Sequence, residues 1–267
     1  MFCFGGELMK ILAIGDVCGT VGCEKLMKVL PRLKKEYSID FTIVNGENSA
    51  DGNGISPKSA DMIFSAGADV ITGGNHTLRR RDIHSLLDEN ERLLRPHNLP
   101  TAEFGTGYCL VDMGYCLISV INLSGTVYLE QLGASNPFIE VDKLLERASN
   151  DGSSIILVDF HAEATSEKRA MGFYLDGKVS AIFGTHTHVQ TNDATILKGG
   201  TAYITDLGMT GPRDSVLGVQ PEIIIDRLKN NSTGRFELAD GDCLVEGIVF
   251  TVDIKSGQAT DIELIKL

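Results

Sequence analysis

Short apolar segments alternate with amphipathic segments along most of this chain, and this alternation restricts its fold more than any other feature. Apolar runs at residues 10–14, 41–45, 69–72, 154–159 and 179–183 have the length of buried strands. Helical spacing and helix start signals predict helices at 24–35, 56–66, 81–89, 137–148 and 166–174. We expect Pro31 to kink or break the first helix. Such repetition predicts a parallel or mixed sheet with helices on its faces.

The remaining strand-like segments indicate antiparallel additions to this sheet. Residues 108–113 and 115–122 predict one hairpin, and residues 195–198 and 201–205 a second around Gly199-Gly200. Residues 243–254 and 261–265 are also strand-like, either as edges that pair with another subunit or covered by the chain itself. Without a linker or repeat, we expect one α/β domain over residues 1–267, with residues 1–8 as a loose N-terminal extension.

The charge balance limits the partners of the chain. Its 267 residues carry 36 Asp and Glu against 24 Lys and Arg, a net charge of −12. Stable binding of duplex nucleic acid requires a basic surface, so this class is disfavoured, whereas a small anion at a metal site is compatible. No apolar run approaches the ~18 residues of a membrane helix. With neither a signal peptide nor a C-x-x-C pair, we expect a cytoplasmic protein with reduced thiols and no membrane partner.

Polar residues follow five of the apolar segments immediately, where each predicted strand ends. These exits are Gly15-Asp16, Asn45-Gly46-Glu47-Asn48, Gly73-Gly74-Asn75-His76, Asp159-Phe160-His161 and Gly184-Thr185-His186-Thr187-His188. Each one alone is typical of a turn or a helix cap. However, binding sites of open α/β sheets form where the carboxyl ends of the strands meet. Five such exits therefore predict one shared site.

The histidines indicate the chemistry of that site. Four of the six lie at these exits, namely His76, His161, His186 and His188, whereas we expect structural roles for His84 and His97. Imidazole, carboxylate and amide oxygen together form a ligand set for Zn, Mn or Fe. At least six candidate ligands are too many for one tetrahedral ion, so a binuclear centre is favoured over a structural zinc site.

These exits resemble the GD, GN-H and GH-x-H signatures of the calcineurin-like metallophosphoesterase superfamily. Within it, the chain is most similar to the YmdB-like family of bacterial phosphodiesterases. The resemblance runs from Met9 onward through GDVCG (15–19), NGENSADGNGI (45–55), GGNHT (73–77), DFHAEATSEKRA (159–170), GTHTHVQTNDA (184–194) and ITDLGMTGP (204–212). It implies an α/β fold, specifically a two-sheet αββα sandwich of mixed sheets with flanking helices, and a homo-oligomer.

The resemblance also implies individual roles and two metal ions per chain, which can be Fe, Mn or Zn. One metal would be held by Asp16, Glu47, Asn48 and His188. Glu47 would bridge to the second metal, held also by Asn75, His161 and His186. His76, next to Asn75, would be the catalytic proton donor.

Two positions depart from the broader superfamily. Cys18 stands two residues after the first Asp, where the superfamily has His, and Glu47 replaces the bridging Asp. Both departures are in keeping with the YmdB-like group, in which the first position is usually apolar and Glu is normal. Cys18 leaves two interpretations open: a packed thiol near the site, which we favour, or a thiolate ligand.

The resemblance predicts an enzyme that hydrolyses small phosphodiesters, with 2′,3′-cyclic nucleotides as the expected substrates. Two metals about 3.5–4 Å apart would share Glu47 and a hydroxide that attacks phosphorus, while His76 protonates the leaving oxygen. Two other classes stay open. One is a different dimetal phosphoesterase, such as a phosphomonoesterase, nucleotidase or ribonuclease. The other is a regulatory protein that binds metal or nucleotide with little turnover, against which the intact His76 argues.

Overall fold

A computed structural model describes residues 8–100 and 103–267. The strands are β1 Leu8–Ile14, β2 Asp16–Val17, β3 Phe41–Asn45, β4 Val70–Thr72, β5 Tyr108–Asp112, β6 Leu117–Ser124, β7 Ile155–His161, β8 Ala181–Thr185, β9 Thr195–Ile196, β10 Ala202–Ile204, β11 Met209–Pro212, β12 Cys243–Asp253 and β13 Ala259–Lys266. The helices are α1 Gly19–Tyr37, α2 Pro57–Ala66, α3 His84–Glu89, α4 Pro137–Asn150, α5 Thr165–Leu175 and α6 Pro221–Asn230. Short 3₁₀ turns occupy Thr77–Arg79, Arg81–Ile83 and Glu130–Leu132.

The strands form two mixed sheets. The first has the order β2-β11-β12-β1-β3-β4, with β13 on the other side of β12. In it β1, β3 and β4 are parallel, whereas β12 runs antiparallel to β1. The second sheet has the order β5-β6-β7-β8-β10-β9 and is parallel from β6 to β10. The parallel strands of each sheet carry the exits that the sequence singled out.

The two sheets pack face to face, and helices cover their outer faces. Because side chains alternate along a strand, β1 turns Ile11 into the core between the sheets and Leu12 towards the helices. The inter-sheet core joins Ile11 to Leu157 of the second sheet. Helices α1 and α2 pack on the outer face of the first sheet, and α4 and α5 on that of the second. The predicted αββα sandwich is confirmed.

Helix α1 differs from its prediction in length and in continuity. It begins at Gly19 and passes through Pro31 without a break. The Cys18 side chain makes no cap, and neighbouring loops satisfy the first amide groups instead. Gly19 N–H donates to Asn48 O at 2.8 Å, and Thr20 N–H to Asp51 Oδ1 at 2.9 Å. These partners are distant in sequence, so local start signals could not locate the first turn.

Some of the other helix and strand predictions were confirmed and others were not. Helix α2 has the predicted Ser56 cap and Pro57 in its first turn. The single helix expected at 81–89 is divided into a 3₁₀ turn and α3. Strands β2 and β11 and helix α6 were not predicted. Of the two C-terminal strands, β12 is covered by the chain itself, since it lies between β1 and β13, whereas β13 pairs with β12 alone among the described strands.

Two further expectations concern the ends and the cysteines. The extension expected at residues 1–8 falls outside the described residues except for Leu8, which already belongs to β1 and pairs with Asp253. The five described cysteines are free. Within the described ranges, the helices are too short or too polar to cross a membrane.

Candidate metal centre

Strand ends from both sheets deliver all eight predicted site residues to one place. Asp16 follows β1, the pair at 47–48 follows β3, and the pair at 75–76 follows β4. His161 ends β7, and the histidines at 186 and 188 follow β8. A cleft of about 370 Å³ opens there, lined among others by Glu47, Asn48, His76, His186 and His188. Asp16, Asn75 and His161 contact these lining residues.

The tighter of two donor clusters surrounds Nε2 of His161, which is fully buried. Asn75 Oδ1 lies 2.9 Å from this nitrogen, His186 Nδ1 3.0 Å and Glu47 Oε2 3.2 Å. These are the four residues that the resemblance implied for one metal. One ligand atom from each of Glu47, His161 and His186 lies within 4.8 Å of the others, which is the spacing that a single ion can bridge.

The second cluster is looser and includes Asp16. Its Oδ1 lies 3.6 Å from His188 Nε2. The amide nitrogen of Asn48 lies 3.1 Å from the same imidazole nitrogen and 3.0 Å from Glu47 Oε1. Rotation of the Asn48 amide by 180° exchanges its nitrogen and oxygen, which turns a ligand atom towards the cluster.

Hydrogen bonds on the far side of each imidazole fix which nitrogen faces a cluster. Thr185 Oγ1 donates to Asp159 Oδ1 at 2.7 Å, so it accepts from His161 Nδ1 at 2.9 Å. His186 Nε2 lies 2.9 Å from Glu163 Oε2, and His188 Nδ1 lies 3.1 Å from the Leu217 carbonyl. Such partners orient metal-ligating histidines and leave the other nitrogen free to bind.

Sequence reasoning missed these orienting residues, although two of them carried a signal. Asp159 lies two positions before His161 on the same strand, so both side chains point to the same face. Thr185 is the last residue of β8 and directly precedes the histidine segment. Glu163 and the Leu217 carbonyl gave no such signal, because nothing local relates them to a histidine.

The loop that carries His186 and His188 is strained and firmly held. Both residues have positive φ, 103° and 60°, where side chains are rarely found. Between them, Thr187 donates its N–H and its hydroxyl to Asp206 Oδ2 at 3.1 and 2.7 Å. Lys168 is buried and donates to the same oxygen at 2.7 Å. The ion pair thereby fixes the segment that presents both imidazoles.

Close approach explains the second glycine of the third exit. A Cβ on Gly74 would lie 2.1 Å from Glu47 Oε2 and 2.3 Å from His161 Nε2. Both distances are far inside van der Waals contact, so a side chain at this position would occupy the space between the two donors. Glycine therefore leaves room for the donor cluster.

The buried charges shift one another's protonation. Burial raises the pKa of Asp16 to about 6 against the opposing pull of nearby histidines. Burial acts in the same direction on Glu47, but His161 and His76 hold its pKa well below the usual value. The pKa of His186 falls to about 3 because the ring is buried and faces His161. At neutral pH the acids are ionised and His186 is neutral, which are the forms that bind a metal ion. Burial is outweighed at His161 by Glu47 and at His188 by Cys18 and Asp16, so the pKa of both rings is raised and a metal ion would compete there with a proton.

The residues present fit a metal ion. Asp16 Oδ1 is buried and accepts no hydrogen bond from any part of the chain that the structure describes. An unpartnered buried carboxylate oxygen is costly unless a cation is near. The surrounding nitrogens and oxygens belong to ligand types that Zn, Mn and Fe accept.

His76 and Cys18 lie beside the donor clusters. The His76 ring is partly exposed in the cleft, and its Nδ1 lies 3.2 Å from Glu47 Oε1. Cys18 Sγ lies 3.6 Å from His188 Nδ1, the nitrogen turned away from Asp16. The thiol therefore packs behind the imidazole, which favours a packed thiol over a thiolate ligand. His84 stacks on Phe104 at 4.2 Å, in agreement with a structural role.

The fold, with two mixed sheets and flanking helices, is that of metallophosphoesterase-type phosphatases. The chain belongs to the YmdB-like family, whose family model, described as "YmdB-like protein", matches residues 12–265. The motif resemblance is thereby confirmed.

Individual relatives cover nearly the whole chain. A Bacillus subtilis (strain 168) protein named "2′,3′-cyclic-nucleotide 2′-phosphodiesterase" is 45% identical over 96% of this chain and 96% of its own. The crystal structure of a novel phosphatase from Mycoplasma pneumoniae superposes with a TM-score of 0.92 at 35% identity, covering 97% of this chain and 93% of that one. A hypothetical protein from Thermus thermophilus has a TM-score of 0.89 at 35% identity, covering 97% of this chain and 99% of that one.

Proposed function

We propose that this protein is a metal-dependent phosphodiesterase that hydrolyses 2′,3′-cyclic nucleotides. The observation that carries the proposal is the convergence of eight side chains from five strand ends on one cleft, in the order that the family motifs imply. The name of the 45% identical Bacillus subtilis relative supports the reaction and the substrate class. A cyclic phosphodiester is a compact monoanion, which suits a cleft of about 370 Å³ in a chain of net charge −12.

The two donor clusters would hold two ions of Fe, Mn or Zn. We assign one ion to Asp16, Glu47, Asn48 and His188, and the other to Glu47, Asn75, His161 and His186. When bound, such ions supply an activated water and offset the charge of the phosphoryl oxygens. Glu47 suits the shared position, because its two oxygens face different clusters, Oε1 at 3.0 Å from Asn48 and Oε2 at 3.2 Å from His161.

His76 would deliver a proton to the leaving oxygen of the ester. Its ring stands in the cleft beside Glu47, and Oε1 of that carboxylate lies 3.2 Å from Nδ1. With Nδ1–H donated to Glu47, Nε2 is left to carry the proton that is transferred. General acid catalysis of this kind typically contributes ~10²–10⁴-fold in rate.

Metal analysis and hydrolysis, measured on one chelator-free sample, test the proposal. We expect about two metals per chain and hydrolysis of 2′,3′-cyclic AMP in preference to a phosphomonoester. His76→Ala should retain the metal and lose turnover, whereas His161→Ala should lose both. Metal without cleavage of any cyclic diester would refute the substrate, and no metal after reconstitution with Mn or Fe would refute the centre. Loss of metal from His76→Ala would refute its role as the acid.

We also propose that the protein is a homo-oligomer in the cytoplasm. Helix α6 supports the first part, because Ile225 and Leu228 are 57% and 80% exposed on it, an apolar surface that a second copy could cover. Light scattering on purified protein decides this point, and a strictly monomeric mass refutes it. Free cysteines support the second part, because unpaired thiols suit a reducing compartment.

A further inference from the structure

The cleft continues beyond the donor clusters onto a surface of different chemistry. On one side it is walled by the apolar side chains of Val216, Leu217, Val219, Ile224, Phe236 and Leu238, which we call the apolar lip. The loop at residues 50–53 supplies further lining. A ligand held at the clusters by one end would therefore place its other end against the apolar lip.

Two short antiparallel segments build most of the apolar lip and pair its backbone, and Ile224 of α6 completes it. Val216 and Val219 exchange N–H···O=C bonds of 2.8 and 3.0 Å around a tight turn at Leu217-Gly218. The second segment pairs with the first, since Val219 and Leu238 form an antiparallel bridge. This pairing turns alternate residues 236 and 238 towards the cleft. The lip is thus preformed.

The apolar lip is joined directly to the donor clusters. The Leu217 carbonyl, at the tip of the turn, lies 3.1 Å from His188 Nδ1. The same residue contributes its side chain to the cleft wall. The position of the lip is therefore fixed relative to the imidazole that faces Asp16, as a subsite for the distal part of a substrate requires.

Phe236 is the aromatic residue of the lip, and part of its ring is accessible from the cleft. It is 50% exposed, and the Arg227 guanidinium lies 4.5 Å from its ring centroid. The arginine covers part of the ring and holds it in place, while the ring still lines the cleft. A flat, partly exposed aromatic surface in a cleft favours stacking of a planar ring.

We propose that the apolar lip is the nucleobase subsite and that the base stacks on Phe236. This inference rests on the proposed function, because the cyclic phosphate must occupy the donor clusters for the base to reach the lip. The ribose then spans the intervening part of the cleft. Phe236 acts as a specificity-determining residue, since it distinguishes cyclic nucleotides from small cyclic phosphodiesters that carry no base.

Two substrates that differ in the base separate this role from catalysis. We would measure KM and kcat for 2′,3′-cyclic AMP and for glycerol 1,2-cyclic phosphate, which has no base. Phe236→Ala should raise KM for cyclic AMP about fivefold or more, the lower end of what base–aromatic stacking contributes. The kcat of Phe236→Ala for cyclic AMP should stay unchanged, and so should its KM and kcat for glycerol 1,2-cyclic phosphate. Phe236→Tyr should retain the wild-type KM for cyclic AMP.

Phe173 offers a matched control, because it is also an exposed phenylalanine, with Arg169 4.9 Å from its ring centroid, but it lies on α5 and does not line the cleft. Phe173→Ala should leave both substrates unaffected. An unchanged KM for cyclic AMP in Phe236→Ala, or an equal loss on both substrates, would overturn the subsite.

Failure of the proposed function gives a different result. The wild-type protein would then cleave neither cyclic ester. Calorimetric titration with adenosine 3′-monophosphate still decides on the subsite in that case. Weaker binding to Phe236→Ala than to wild type and Phe173→Ala supports the subsite, and equal affinities overturn it.

Discussion

Replacement of Thr185 by valine should weaken metal binding although every proposed ligand stays in place. The Thr185 hydroxyl accepts from His161 Nδ1 at 2.9 Å and donates to Asp159 Oδ1 at 2.7 Å. These two bonds keep the proton of His161 on Nδ1 and direct Nε2 at Glu47 and Asn75. Valine fills the same volume and removes both bonds.

The expected losses of metal affinity and of stability follow from the groups that the two Thr185 hydrogen bonds join. Loss of an outer partner of a metal-ligating histidine typically costs about 10–100-fold in metal affinity or activity. Asp159 Oδ1 loses its hydroxyl donor, but Oδ2 keeps Asn45 and Thr72. A buried acceptor left without its donor costs about 1–3 kcal/mol, so the metal-free variant should lose that much free energy of unfolding.

Chelator competition measures the metal affinity, and urea denaturation measures the stability. Thr42→Val is the matched control, because Thr42 is also fully buried but its Oγ1 has no hydrogen-bond partner among the described residues. That substitution should leave the metal affinity unchanged. An affinity of Thr185→Val equal to wild type, or an equal loss in Thr42→Val, would refute the orienting role.

Three other substitutions probe the surroundings of the clusters. Gly74→Ala should abolish metal binding in elemental analysis while circular dichroism shows a folded protein, because the new Cβ falls 2.1 Å from Glu47 Oε2; a normal metal content would contradict this. Lys168→Met should lower the free energy of unfolding by about 3–5 kcal/mol, because the Asp206 charge stays buried without its partner. A smaller loss of stability in urea denaturation would count against this role of the ion pair. Cys18→Val should keep the full metal content, because Sγ lies behind the imidazole of His188, so loss of one metal would restore the thiolate hypothesis.

The local sequence pattern was sufficient to predict those helices and strands that bury an apolar face. The β1 segment alternates between two hydrophobic layers, and the Ser56-Pro57 start of α2 is encoded within four residues. Helix α6 is different, because its residues are at most half-buried and its apolar positions face no core. The first turn of α1 depends on Asn48 and Asp51, which lie about thirty residues away.

The same distinction applies to the candidate site. Donor residues were recognisable because each directly follows an apolar strand, and the sheet topology then brings them together. The apolar lip could not be recognised, because Leu217 and Phe236 come from segments without periodicity that pair only in the folded chain. Their contribution to the cleft depends on the Val216–Val219 turn, whose positive φ at Leu217 no sequence rule favours.

The loop between β8 and β9 holds two strained residues and contacts the buried Lys168–Asp206 ion pair. One role in the candidate site accounts for both features. Non-glycine residues at positive φ cost on the order of 1–3 kcal/mol each, and His186 and His188 both adopt it. A buried ion pair such as Lys168–Asp206 is weak support for stability in itself. It holds Thr187 by two hydrogen bonds, however, and Thr187 is the residue between the two strained histidines. The Lys168–Asp206 ion pair therefore fixes the orientation of the two imidazoles through Thr187. An apolar pair of the same volume could not do so, because it would offer Thr187 no hydrogen-bond acceptor.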